Sequence, residues 1–224
     1  MKLARTIGMV MLIVAMVSSM GFAKAKKSAI TNSKHDLRSN FGGGSYTLCN
    51  FCHIAHKPAS VSAPANTGPL LWNHTLSAVT SYGVYSSDSF NSYNTDIQDL
   101  GKSNTGTLTV SNMCLSCHDG TVAINSWYDP PVANGNTFMN NTSVIKDLTQ
   151  THPVNFTYDT TLATKAGILA PASSSSVDGA GEIPLFNGKM QCATCHDPHN
   201  GASGIFEQNF PTQTSGTFCT YCHL

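Results

Sequence analysis

The sequence predicts an irregular, loop-dominated fold with a few short helices and little sheet. Three observations predict it. Charged residues make up only 11% of the 224-residue chain, while Ser, Thr, Asn and Gly are abundant. No hydrophobic period of 3.6 or 2.0 residues is sustained over a domain-length span. All eight cysteines fall in four short copies of one pattern, with none elsewhere. This length suits one domain, and something other than aliphatic burial is expected to hold it together.

The chain opens with Lys2 and Arg5, then an uncharged apolar run from Ile7 to Val17, then the small-residue steps G-F-A and A-K-A. That order predicts a signal peptide over residues 1–25, cleaved after Ala23 or Ala25, since the run is too short for a comfortable membrane span. The mature domain, 26–224, is expected to be exported and to carry no membrane span. Loss of Lys2 and Arg5 from 12 basic residues leaves 10 against 12 acidic ones, a formal charge of −2. With no basic patch, nucleic acid is set aside as a partner.

The four cysteine copies are Cys49-Asn-Phe-Cys52-His53, Cys114-Leu-Ser-Cys117-His118, Cys192-Ala-Thr-Cys195-His196 and Cys219-Thr-Tyr-Cys222-His223. C-x-x-C-H is the attachment sequence of c-type haem. The two thiols add across the porphyrin vinyl groups, and the next residue offers its imidazole to the iron as proximal ligand. A disulfide scaffold does not require a histidine after every pair. Zinc would need neighbouring pairs at finger-like spacing, whereas these motif histidines stand 65, 78 and 27 residues apart. Thioredoxin-type chemistry uses one such motif, not four. Four covalently bound haem c groups are therefore expected, held by those eight cysteines, with His53, His118, His196 and His223 as proximal ligands. Their porphyrins would form the core that the composition lacks.

Each iron takes a second axial ligand, and a closed site with two protein ligands moves electrons. Five histidines lie outside the motifs: His35, His56, His74, His152 and His199. Four irons need four of them, so one is spare. Beyond the signal region only Met113, Met139 and Met190 remain, and Met113 and Met190 sit beside motifs, where packing suits them better. Bis-histidine ligation throughout is the economical reading. His56 and His199 follow their proximal histidines by three residues, too close to cross their own porphyrin, so each is expected to serve a neighbouring iron. His152 precedes Pro153 and should lie in extended backbone. His35 and His74 compete for the last place. Asp36 and Asp197 are possible hydrogen-bond partners of ligating imidazoles, with solvation the plainer role.

Between motifs the chain reads as loops. A Gly42-Gly43-Gly44 turn precedes the first motif, and Trp72, Tyr82, Tyr85, Phe90 and Tyr93 are scattered after it. They would pack on porphyrin planes or form an ordinary small core. Asp119 to Ile124 suggests a brief strand or turn, and Pro130-Pro131 breaks any helix. Residues 144–148 could make a helical turn, and 169–182 reads as a flexible surface loop.

The ordered set K-H-D-L, C-N-F-C-H-I-A-H, P-L-L-W-N-H, C-L-S-C-H-D-G-T-V-A, T-H-P-V-N-F, C-A-T-C-H-D-P-H and C-T-Y-C-H resembles the small multihaem c-type cytochromes of metal-reducing bacteria. It is most similar to tetrahaem outer-surface cytochromes that polymerise into conductive filaments, or cytochrome nanowires. The resemblance covers nearly the whole mature chain. It implies a multihaem cytochrome c fold, haems stacked in alternating parallel and T-shaped pairs, and head-to-tail assembly through a histidine that ligates a haem of the next copy. Carried over by motif, that histidine is His56, with His35 as a rival. It also implies electron transfer to redox partner cytochromes and extracellular acceptors such as metal oxides or electrodes, from the cell surface. A soluble periplasmic shuttle is the alternative. A small multihaem reductase with one open iron is a third reading, disfavoured by five spare histidines for four irons and by the lack of a basic pocket. The chain is thus expected to be an electron-transfer protein and not an enzyme.

Overall fold

The computed structural model describes residues 30–41, 47–54, 71–77, 79–88, 90, 109–126, 137–140, 144–145, 147–178, 183–199 and 218–224. The expected signal peptide, the triple-glycine turn, His56, Tyr93 and Pro130-Pro131 lie outside them. Among the described residues, regular structure is sparse. A 3-10 turn spans Leu37–Phe41, and three helices follow: α1 (Val110–His118), α2 (Thr160–Ala166) and α3 (Cys192–Cys195). Two short strands, β1 (Phe156–Thr157) and β2 (Lys189–Met190), pair antiparallel with Phe156 opposite Met190. No helix among these residues is long and apolar enough to cross a membrane.

Local chemistry sets the helix bounds. Thr109 caps α1: its hydroxyl accepts from the Asn112 N–H, and the Asn112 side chain accepts from the Thr109 N–H, each at 3.2 Å. This reciprocal cap satisfies donors that the first turn leaves open. At the other end the Asp119 N–H returns to the Leu115 carbonyl, and Gly120 takes φ +73°, which stops the helix. Asp159 caps α2 through the Leu162 N–H at 2.7 Å, and Gly167 ends it in the left-handed region.

One apolar cluster holds the centre: Phe90, Leu115, Leu148, Phe156, Tyr158, Leu162, Val177, Ile183, Leu185 and Met190 are all buried. Phe90 meets Phe156 edge to face at 4.9 Å, and Tyr85 meets Phe90 at 5.8 Å. Tyr85 and Phe90 thus pack on protein, the second of the two arrangements expected for them. A smaller cluster joins Trp72, Leu76 and Met113.

Two expectations give way. The described part of 144–148 is not helical. Ile145 donates its N–H to the His118 carbonyl and Leu148 donates to that of Gly83, so the backbone is spent on other loops while Leu148 enters the core. The segment 169–178 is not a loose loop either. Val177 is buried, and Ser173 and Ser176 bridge antiparallel across a tight serine turn. Short hydroxyl side chains bond their own backbone there and fix the turn.

Candidate functional site

Each C-x-x-C-H motif forms a single helical turn. The histidine N–H reaches the carbonyl of the first cysteine at 2.9 Å for His53, 3.0 Å for His196 and 2.8 Å for His223, while the second motif closes α1. A turn of this kind places residues i and i+3 on one side, so both thiols of a motif share a face. All eight cysteines are free thiols. Burial pushes Cys52 up to about 11 and Cys117 and Cys195 up to about 12. Nucleophilic cysteine pairs need the opposite shift, so these thiols are poor candidates for thiolate redox chemistry.

Neighbouring motifs lie close to one another, and the first also meets the stretch after the third through His53 and His199. Cys52 is near enough to raise the pKa of both Cys117 and Cys114, and Cys222 and Cys219 raise that of Cys195. Between them Cys114 and Cys192 share a hydrogen bond, which together with burial holds the Cys114 thiol well above its ordinary value. That contact is set by a buried polar clamp between α1 and α3. The Ser111 N–H and hydroxyl donate to Gln191 Oε1 at 3.2 and 2.5 Å, and Gln191 Nε2 donates to Asn155 Oδ1 at 2.8 Å. The Cys192 N–H then donates to Ser111 Oγ at 3.0 Å.

Three motif histidines face three of the spare ones. His118 and His35 have ring centroids 6.3 Å apart, His53 and His199 6.1 Å, and His223 and His152 6.3 Å. The interplanar angles are 61°, 25° and 77°. A metal at about 2.0–2.1 Å from one nitrogen of each imidazole, with ~1.1 Å more to each ring centre, separates two centroids by ~6.3 Å at any twist about the common axis. The observed spacings match that separation.

A neutral imidazole is what a metal ligand must be, and burial favours that form for His35, His152 and His196. Burial lowers the pKa of His35, aided by His118, His199 and His196 and opposed by Asp197. Desolvation does the same for His152 and His196. The His152 Nδ1–H donates to the Pro153 carbonyl at 2.9 Å, leaving Nε2 with the lone pair. Asp197 accepts the His199 N–H at 2.9 Å and lies 3.4 Å from its Nδ1. Burial pushes the Asp197 carboxyl up, but those contacts and the nearby His35 outweigh it and hold it below its ordinary value. Asp36 instead pairs with Arg38 at 2.7 and 2.8 Å and accepts the Asn32 N–H at 2.8 Å, bracing the turn that carries His35.

His74 differs from His35, His152 and His199. It is fully buried, with Nδ1 at 2.8 Å from the Thr75 carbonyl and Nε2 at 3.1 Å from that of Ala123. A neutral ring can donate to only one of the two. Burial lowers its pKa against the pull of both carbonyls, and the shorter of the two contacts is that of Nδ1. Cys117 Sγ lies 3.5 Å from Nε2.

Two features escaped the sequence reading. Trp72 pairs with His53 in an antiparallel bridge, its ring 5.7 Å away at 86°, and its buried indole N–H has no acceptor among the described residues. Asp119 is buried among hydroxyls beside the second motif. The signal for Asp119 was present: the second and third motifs both continue as C-H-D. Among the described residues no three His, Cys, Asp or Glu side chains gather at one point. Set against known proteins, the chain matches no family model and no curated protein.

Proposed function

We propose that the chain is an electron-transfer protein carrying four covalently attached c-type haems, each iron between two histidines. The observation that carries the reading is the three pairs of motif and spare histidines at 6.1–6.3 Å. The haems supply one-electron Fe(III)/Fe(II) cycling when bound, with no bond made or broken. The chain's residues hold and orient them. Cys49 and Cys52, Cys114 and Cys117, Cys192 and Cys195, and Cys219 and Cys222 anchor them. His53, His118 and His223 are paired with His199, His35 and His152. By count, His56 then serves His196, from the same chain or a neighbouring copy, and His74 is the spare. The orphaned Trp72 N–H fits the same picture, since porphyrin carboxylates are acceptors that a buried donor needs.

The closeness of neighbouring motifs supports electron exchange among the four haems. The resemblance to filament-forming cytochromes supports an extracellular filament subunit that delivers electrons to metal oxides or electrodes. The test is the exported, purified protein. Its intact mass should exceed the processed chain by four haems, and negative-stain images should show filaments. A mass without haem refutes the proposal; four haems on a monodisperse monomer at native salt refute the filament and leave a soluble shuttle.

A further inference from the structure

Asp119 follows His118 and is only 5% exposed. Its Oδ1 accepts from the Thr121 N–H at 2.8 Å and the Thr121 hydroxyl at 2.7 Å. Its Oδ2 accepts from the Ser77 hydroxyl and from the Tyr82 hydroxyl at 2.7 Å. An ionised carboxylate is an acceptor-only group with about four lone-pair sites, and four donors fill them. No Lys or Arg forms an ion pair with it among the described residues. Every partner in this network is a donor, so the site is built for an acceptor-only group. Asp119 stands directly after His118, the last residue of the second attachment motif.

The network joins two parts of the chain around the second motif. Ser77 and Tyr82 follow the residues that include Trp72 and His74, and Thr121 comes from the turn after α1. The side chains are thus fixed relative to α1, and the charge cannot swing into solvent. Oxidation of a haem iron adds one positive charge, and a fixed negative charge in a low-dielectric surround favours that state.

We infer that Asp119 is a positioning residue that sets the reduction potential of the haem attached at Cys114 and Cys117, holding it lower than the same bis-histidine site would be without it. This rests on the haem reading above. Asp119→Asn keeps the shape and removes the charge. Tyr82→Phe keeps the charge and removes one of its donors. The two variants therefore act in opposite directions.

The test is potentiometric titration of the holoprotein followed by optical spectra. Asp119→Asn should make one of the four one-electron steps about tenfold easier, ~59 mV upward for a single electron, and move the other three less. Tyr82→Phe should move that same step downward, and both variants should keep the wild-type low-spin spectrum. If Asp119→Asn does not accumulate as folded holoprotein, the downward shift in Tyr82→Phe decides alone. Unchanged potentials in both variants, or shifts of the same sign, overturn the inference. Peptide mass analysis separates this from failure of the haem reading, which would appear as wild-type Cys114 and Cys117 without haem.

Discussion

At the residue scale, the four spare histidines among the described residues divide by what holds their rings. His35, His152 and His199 stand opposite motif histidines, whereas His74 is enclosed and bonded to backbone carbonyl oxygen. The sequence left His35 and His74 as equals, because a single imidazole in a loop carries no local sign of what it faces. His35 and His118 are brought together by loops with no period to read. The prediction at this scale separates a ligand from a packed histidine. His152→Ala should leave four haems attached but turn about one in four high-spin, by loss of one axial nitrogen. His74→Gln should keep all four low-spin and lower only stability, by about 1–3 kcal/mol for a disturbed buried polar group. Optical spectra in the high-spin charge-transfer region and denaturant titration check the two arms. A high-spin signal from His74→Gln would exchange the assignments.

At the scale of elements, the motifs were legible because their geometry is local. One turn of helix relates the two cysteines and the histidine, so spacing alone announced them. Caps were equally local: Thr109 with Asn112, and Asp159 before α2, are readable signals. So was the hairpin turn Asn187-Gly188, where both residues take positive φ and lead into β2. The clamp of Ser111, Gln191 and Asn155 was not legible, since it joins polar residues far apart in sequence. Two glycines give a prediction. A Cβ on Gly120 would lie 2.9 Å from Val144 Cγ1, at φ +73°. At Gly167, with φ +65°, it would meet nothing within 4 Å. Gly167→Ala should cost about 1–2 kcal/mol, the left-handed backbone term alone. Gly120→Ala should cost more, because the clash adds to a similar term and lies two residues after His118. Equal losses in denaturant midpoint would contradict the close packing of Val144.

At the scale of the whole molecule, a small apolar core coexists with the four motif turns. Composition led to an expectation of a core made by porphyrins, with an ordinary small core as the alternative for the scattered aromatics, and the cluster around Phe90, Phe156 and Ile183 is a core of protein. Those residues are spread along the chain without a period, so pattern reading could not gather them. Around that core the motif turns lie close to one another, with the Cys114–Cys192 contact between the second and third. The most direct measurement is a spin-quantified electron paramagnetic resonance spectrum of the oxidised, purified protein. The account predicts four low-spin ferric centres per chain and no stoichiometric high-spin signal. Fewer than four low-spin centres, or one full high-spin centre per chain, would contradict it.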